Sequence, residues 1–229
     1  MVPEKSRSIW LRKERSGRGP VPEHGRDQIA AAAIELADAG GLDGVSTRKV
    51  AASIGAGATS LYRYVENRDE LLELMLDAAI GQLELTRPVS GNWRSDLTGL
   101  AHDLRSLYRR HPWMLDLAQG QTPLTPNSVE FLEYALSILT RVQVPGQLKM
   151  EAIGLLNGVV VLLTRLELSA GRSPQAWQAA QVDYLTAVVA NGGHPHLADA
   201  FRSSTPSSGS VELLDSVLLR VLSGVLDPG

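Results

Sequence analysis

Apolar residues return at intervals of three and four along almost the whole chain, and no stretch sustains the period-two alternation of β-branched residues that a sheet requires. That pattern predicts an all-α fold. With 229 residues and 44% hydrophobic content, the chain can bury one good core or two smaller ones. Cysteine is absent, which excludes disulfides and thiolate zinc sites and makes the reducing cytoplasm the expected compartment. The N-terminus has no apolar run of the signal-peptide kind. The strongest apolar stretch, around Val159 to Leu163, is too short to span a bilayer, so no membrane association is expected. The formal net charge is −3, but residues 1–70 hold 11 Lys/Arg against 10 Asp/Glu while residues 71–229 hold 11 against 15. A mildly basic end on an acidic body permits contact with nucleic acid without requiring it.

Turn and cap residues divide the helical pattern. Residues 1–25 are polar, basic and interrupted by Gly17, Gly19, Pro20 and Pro22, the composition of a disordered arm. A first helix is predicted from about Arg26 to Ala39, ended by Gly40 and Gly41. A short helix begins at Ser46, a turn holds Gly55 and Gly57, and a second short helix covers about Ala58 to Val65. Asn67 then caps a longer helix to about Thr86, with Glu70 at the capping-box position. Pro88, Ser90 and Gly91 mark a boundary, giving one domain over 26–87 and a second over 88–229. In the second, helices are expected at about 92–110, 112–119, 126–142, 146–170, 174–190, 195–203 and 209–226. There are no internal repeats.

The segment from Thr47 to Tyr64 is the most informative. Two short helices that cross steeply through a tight turn need a small residue at the close approach, a turn residue tolerant of positive φ, and apolar residues facing the core. Ala51, Gly55 and the set Val50, Ile54 and Leu61 satisfy these needs at helix-turn-helix spacing, although an ordinary helical hairpin satisfies the same spacing.

The residues that follow narrow the choice. Leu61-Tyr62-Arg63-Tyr64-Val65-Glu66-Asn67-Arg68-Asp69-Glu70-Leu71-Leu72 resembles the end of the recognition helix and the start of the fourth helix in TetR-family regulators, with Arg68 in place of the usual Lys. Ala39 to Ala51 also resembles that family's passage from the first helix to the second. The likeness is specific over about Arg26 to Leu85. It implies an N-terminal three-helix DNA-binding domain and a C-terminal helical bundle that binds a ligand and dimerises. It further implies that Ala58, Thr59, Ser60, Tyr62 and Arg63 face base edges and nearby phosphates in the major groove of double-stranded DNA. Ala58 and Thr59 are sized for thymine methyl groups, and Arg63 suits a guanine. Thr47, Arg48 and Tyr64 are expected on phosphates, and Arg68, at a helix N-terminus, is expected to clamp one. In the arm, Arg7, Arg12, Lys13, Arg15 and Arg18 form either a solubilising tail or a minor-groove contact.

Asn92-Trp93-Arg94, then Arg110-His111-Pro112-Trp113, then Pro126-Asn127 resemble the C-terminal domain of the tetracycline-repressor subgroup. A small organic effector is therefore expected among Leu104, Tyr108, Trp113, Met114, Leu117, Gln119, Phe131, Tyr134 and Asn157. Asn157 stands out as an amide on an apolar helix that needs a partner, which a dimer interface could also supply. Where tetracycline-binding members carry a magnesium-coordinating His, this chain has Ala118, so neither a metal nor another cofactor is expected. A homodimer on a palindromic operator follows from the resemblance, with half-sites roughly 34–36 Å apart. Its interface is expected on helix 146–170, where Gly154 and Gly158 allow close approach, and on the last helix with Val211, Leu214, Val217, Leu218, Val221 and Val225. The two glycines could instead mark ligand space or a bend. Repression relieved by the effector is the commonest outcome in the family.

Enzyme classes find little support. His24, His102, His111, His194 and His196 show no metal-ligand spacing, Gly55-x-Gly57 lacks the third glycine of a dinucleotide fingerprint, and no P-loop or Gly-x-Ser-x-Gly turn is present. The alternative of a different class is a helical ligand-carrier or protein-interaction module without DNA binding.

Overall fold

The computed structural model describes residues 8–12, 25–118, 123–170, 175–202 and 210–227. Among the described residues the regular structure is helical, with no strand. The order is α1 (Arg26–Gly40), α2 (Thr47–Ser53), α3 (Ala58–Leu61), α4 (Arg68–Ile80), α5 (Trp93–Arg110), α6 (Met114–Leu117), α7 (Pro126–Ile138), α8 (Gly146–Ala170), α9 (Gln175–Ala190), α10 (Pro195–Arg202) and α11 (Ser210–Leu226).

The first four helices enclose a small core. Ile29, Ala33 and Ala37 of α1 meet Val50, Ala51, Leu61, Val65, Leu71 and Met75, all buried. Burying the Ile, Val, Leu and Met side chains among them stabilises the fold by about 1.5–3 kcal/mol each. Side-chain caps fix two helix starts: Ser46 Oγ accepts from Lys49 N at 3.3 Å, and Asn67 Oδ1 accepts from Glu70 N at 2.9 Å. The Glu70 carboxylate reaches back to the backbone N–H of Glu66 at 2.8 Å, so both sides of this helix start are satisfied.

The rest of the chain forms a bundle in which α8 packs on α5, α7 and α11, and α5 packs on α7 and α11. Leu97, Leu100 and Leu104 of α5, Leu156 and Val160 of α8, and Leu214, Leu218 and Leu222 of α11 fill its core. α4 joins the two parts, packing on α1 on one side and α7 on the other.

Five sequence expectations are corrected. The helix predicted to reach Thr86 ends at Ile80. There the Asn127 side chain donates to the Asp77 carbonyl at 3.0 Å, and a Cβ at Gly81 would lie 2.8 Å from the Asn127 amide nitrogen. The Asp77 carbonyl also accepts from Gly81 N at 2.9 Å, so α4 ends at its own glycine and α7 packs against that end. The second short helix ends at Leu61 rather than Val65, with turns through Tyr64, and α7 ends at Ile138 rather than 142. The arm predicted to be disordered over 1–25 contains an ordered piece. Ile9 to Leu11 forms a 3-10 turn with Ile9 1% exposed and Trp10 packed against the core, because this apolar pair covers the start of the fold. Finally, α8 is long and apolar enough to cross a membrane by length and composition, a property missed by counting consecutive apolar residues. In the fold one face of α8 is instead core, through Ile153, Leu156 and Val160.

Candidate nucleic-acid interface and buried cavity

The turn between α2 and α3 is built from backbone hydrogen bonds. Ala56 N donates to Ala51 O at 2.8 Å and Gly55 N to Ala52 O at 3.2 Å, the paired pattern of a Schellman cap, with Gly55 at φ 70°. Only glycine adopts that φ without strain. Ala51, 1% exposed, lets the two helices approach. Leu61 and Val65 anchor the far side, and between these anchors the chain turns its polar residues outward.

The candidate contact residues along this side of the motif differ in exposure. Arg48, Thr59, Tyr62, Arg63 and Arg68 are exposed, while Thr47, Ser60 and Tyr64 are half-buried, and Ala58 opens α3. The two tyrosines divide by position: Tyr62 is 53% exposed, whereas Tyr64 packs partly against the core. Arg68 donates to the carbonyl of Leu42 at 2.8 Å, tying the start of α4 to the α1–α2 connection. Lys49 is also exposed. Arg12, one candidate for a DNA-following arm, forms ion pairs with Glu66 and Glu70 at the start of α4. Arg7, Lys13, Arg15 and Arg18 lie outside the described residues.

A cavity of about 290 Å³ opens between α4, α5, α6, α7 and α8. Leu104, Tyr108, Met114, Leu117, Phe131 and Asn157, six of the expected ligand residues, line it. Trp113 and Tyr134 do not; their polar ends are used elsewhere, Trp113 Nε1 donating to Asp38 at 2.8 Å and Tyr134 Oη to the Arg87 carbonyl at 3.2 Å. Gln119 lies outside the described residues. The Tyr108 hydroxyl donates to Asn157 Oδ1 at 2.7 Å, and burial pushes its pKa up to about 12. Several wall residues escaped the sequence reading, among them Leu76 and Ile80 of α4 and Met150, while Gly154, expected at a dimer interface or as ligand space, is a wall residue. The signal for the first two was present: four residues apart, they sit on a helix whose apolar positions exceed one face.

Residues 86–227 match the family of tetracycline repressor-like C-terminal domains, and residues 29–75 match the tetR family of bacterial regulatory proteins. The chain belongs to the TetR family. Membership makes it a DNA-binding transcription regulator rather than an enzyme. One TetR-family relative, the HTH-type transcriptional repressor DrrR1 of Streptomyces coeruleorubidus, is 36% identical over 198 residues, covering 83% of this chain and 73% of its own. Among solved structures, apo ActR of Streptomyces coelicolor superposes with a TM-score of 0.74 at 27% identity, covering 89% of this chain and 97% of its own. ActR in complex with (S)-DNPA gives 0.76 at 26% identity, covering 91% and 100%. ActR has also been solved in complex with actinorhodin.

Two polar junctions connect the halves of this TetR-family chain. At the end of α1, Asp38 accepts from His111 Nδ1 at 2.9 Å and from Trp113 Nε1 at 2.8 Å, on the segment that leads into α6. The other imidazole nitrogen lies 3.1 Å from Gln82 Oε1, which also accepts from Arg110 at 2.9 Å. On α4, Asp77 accepts from the backbone N–H and the side-chain amide of Asn127 at 2.7 and 3.0 Å. α6 and α7, each carrying cavity wall residues, are thereby hydrogen-bonded to α1 and α4 of the DNA-binding part. Ala118, where tetracycline-binding members place a metal-coordinating His, is a wall residue of the cavity. No group of three or more metal-ligating side chains occurs among the described residues.

Proposed function

We propose that this TetR-family chain is a homodimeric repressor, with residues 26–87 reading a palindromic operator and residues 88–229 binding a small organic effector and dimerising. The observation that carries this reading is that α4 serves both sites. Arg68, exposed, begins it, and Leu76 and Ile80 end it in the cavity wall. An effector that favours one placement of α4 over another shifts the population of dimers whose two recognition helices fit successive major grooves. A coupling of roughly 1–3 kcal/mol, typical of such linkage, changes operator affinity about 5- to 150-fold.

The assignment of DNA contacts to Thr47, Arg48, Ala58, Thr59, Ser60, Tyr62, Arg63, Tyr64 and Arg68 rests on the family's docking geometry and is supported by the exposure of Arg48, Thr59, Tyr62, Arg63 and Arg68. Dimerisation is supported by apolar surface left on the bundle: Leu155, Leu162 and Leu166 of α8 and Leu213 of α11 are exposed. Gly158 on the same helix leaves open space for a close neighbour, and contiguous apolar surface of this kind marks an association face. Repression is supported by the relative DrrR1, named a repressor, and an organic effector by the ActR complexes. Action on chromosomal operators places the protein in the cytoplasm.

The experiment is selection of bound sequences from a random DNA pool by the purified protein, with the mass of the complex measured in solution. Recovery of an inverted repeat bound by two chains is the expected result. No consensus at any salt concentration, or a consensus without two-fold symmetry bound by one chain, overturns the dimeric-operator reading.

A further inference from the structure

The cavity's polar groups are not equally free. Ser128 Oγ is spent within its own helix start, accepting from Thr125 N at 2.7 Å and donating to Thr125 O at 2.7 Å. The Tyr108 hydroxyl is spent on Asn157 Oδ1 at 2.7 Å. That bond also orients the amide. A phenol buried this deeply must place its proton on an acceptor, and the Asn157 oxygen is the one that takes it, so the amide nitrogen points the other way. Among the described residues no group accepts from that nitrogen, and Asn157 lines the cavity while only half-buried. Two N–H donors are thus left to a ligand.

Charge is missing from the same walls. Among the described lining residues none is ionisable except Tyr108, whose burial keeps it neutral, and the sequence from Gln119 to Thr122 adds no ionisable side chain. A ligand carrying a carboxylate or ammonium into this space would lose its hydration without a counter-charge. The remaining walls, with Met114, Met150 and Phe131, are polarisable surfaces suited to a flat ring system.

We propose that the cavity takes an uncharged, largely apolar molecule that presents a carbonyl oxygen to the Asn157 amide, which makes Asn157 the specificity-determining residue. The inference rests on the reading of this cavity as the effector site.

The test is calorimetric titration of the full chain at neutral pH with four probes on one ring scaffold: 2-acetylnaphthalene, 2-isopropylnaphthalene, 2-naphthoate and 2-naphthylmethylammonium. The ketone should bind roughly tenfold more tightly than the hydrocarbon, the ratio that one neutral hydrogen bond supplies. Both charged probes should bind at least about tenfold more weakly than the ketone. Asn157→Asp keeps an acceptor for Tyr108 but removes the donor, and should bring the ketone-to-hydrocarbon ratio to about one. The double variant Tyr108→Phe/Asn157→Leu should do the same while retaining hydrocarbon binding. Gly154→Leu, which adds a bulky side chain at a lining residue whose Cβ would meet nothing within 4 Å, should abolish binding of all four. Equal ketone and hydrocarbon affinities, or preference for a charged probe, overturns the proposed ligand class and leaves the effector site standing. Binding that survives Gly154→Leu, or no binding of any probe to the unaltered chain, overturns the site and the proposal together.

Discussion

Asp38, near the end of the first helix, accepts a hydrogen bond from His111 at 2.9 Å across the junction between the DNA-binding part and the bundle. The same carboxylate takes the Trp113 indole N–H, so it holds both residues that lead into α6. His111 and Trp113 are almost fully buried while Asp38 itself is exposed, so removing the carboxylate leaves two buried donors without their partner. Asp38→Ala should lower unfolding stability by roughly 1–3 kcal/mol, the range for losing charge-assisted hydrogen bonds and leaving their donors unpaired. Its more telling effect is on linkage. The variant should retain operator binding but show a smaller change in affinity when effector is added, measured by fluorescence anisotropy on operator DNA with and without saturating ligand. An unchanged ligand response would show that Asp38 is structural only.

Arg68 stands at the other end of the route, exposed at the start of α4. Arg68→Ala should weaken binding to specific and non-specific DNA alike and reduce the slope of log affinity against log salt by about one, the signature of losing the proposed phosphate contact. Arg63→Ala should instead relax preference at one position of each half-site. Titrations at several salt concentrations, followed by sequence selection with each variant, separate the two behaviours.

The proposed dimer face is testable without DNA. Leu162 is 57% exposed on α8, and in the proposed dimer a charge there would be buried against the second copy without a partner. Leu162→Glu should produce a folded monomer by sedimentation or light scattering, with helical content unchanged. Operator affinity should fall by at least about tenfold, since one helix-turn-helix reads only a half-site.

Glu73 gives a pH signature. Burial, followed by the repulsion of Glu70, raises its pKa above the ordinary glutamate value. A carboxyl raised in the folded state binds protons more readily there than in the unfolded chain, so its ionisation costs stability at neutral pH and that cost vanishes below the ordinary glutamate range. Glu73→Gln should therefore raise the melting temperature at pH 7 and leave it nearly unchanged near pH 4. A difference that is the same at both values would remove the ionisation of Glu73 as the cause.

Local chemistry was legible in the sequence, and long-range partners were not. Asn67 announced the start of α4 because an N-cap is decided within four residues. Gly55 announced the turn for the same reason. The end of α4 carried a local signal in Gly81, its C-cap, which the apolar residues Leu83 and Leu85 beyond it obscured, while the second bond to its Asp77 carbonyl comes from Asn127, fifty residues away on another helix. The cavity was legible in part for a related reason. Leu104 and Tyr108 follow from the face of α5 turned inward, but Trp113 and Tyr134 carry polar ends whose partners, Asp38 and the Arg87 carbonyl, are visible only in three dimensions. Ile9 and Trp10 formed an apolar pair too short to register as an element, yet they cover the first core.

The Ala56–Ala51 hydrogen bond has an evolutionary consequence. It sets the angle between α2 and α3 through backbone atoms and one glycine, without help from Thr59, Tyr62 or Arg63. The side chains that would choose an operator are therefore not the ones that hold the motif together. Descendants of this chain can exchange those letters one at a time, acquiring new target sites at little risk to foldability, while Gly55 and Ala51 stay fixed.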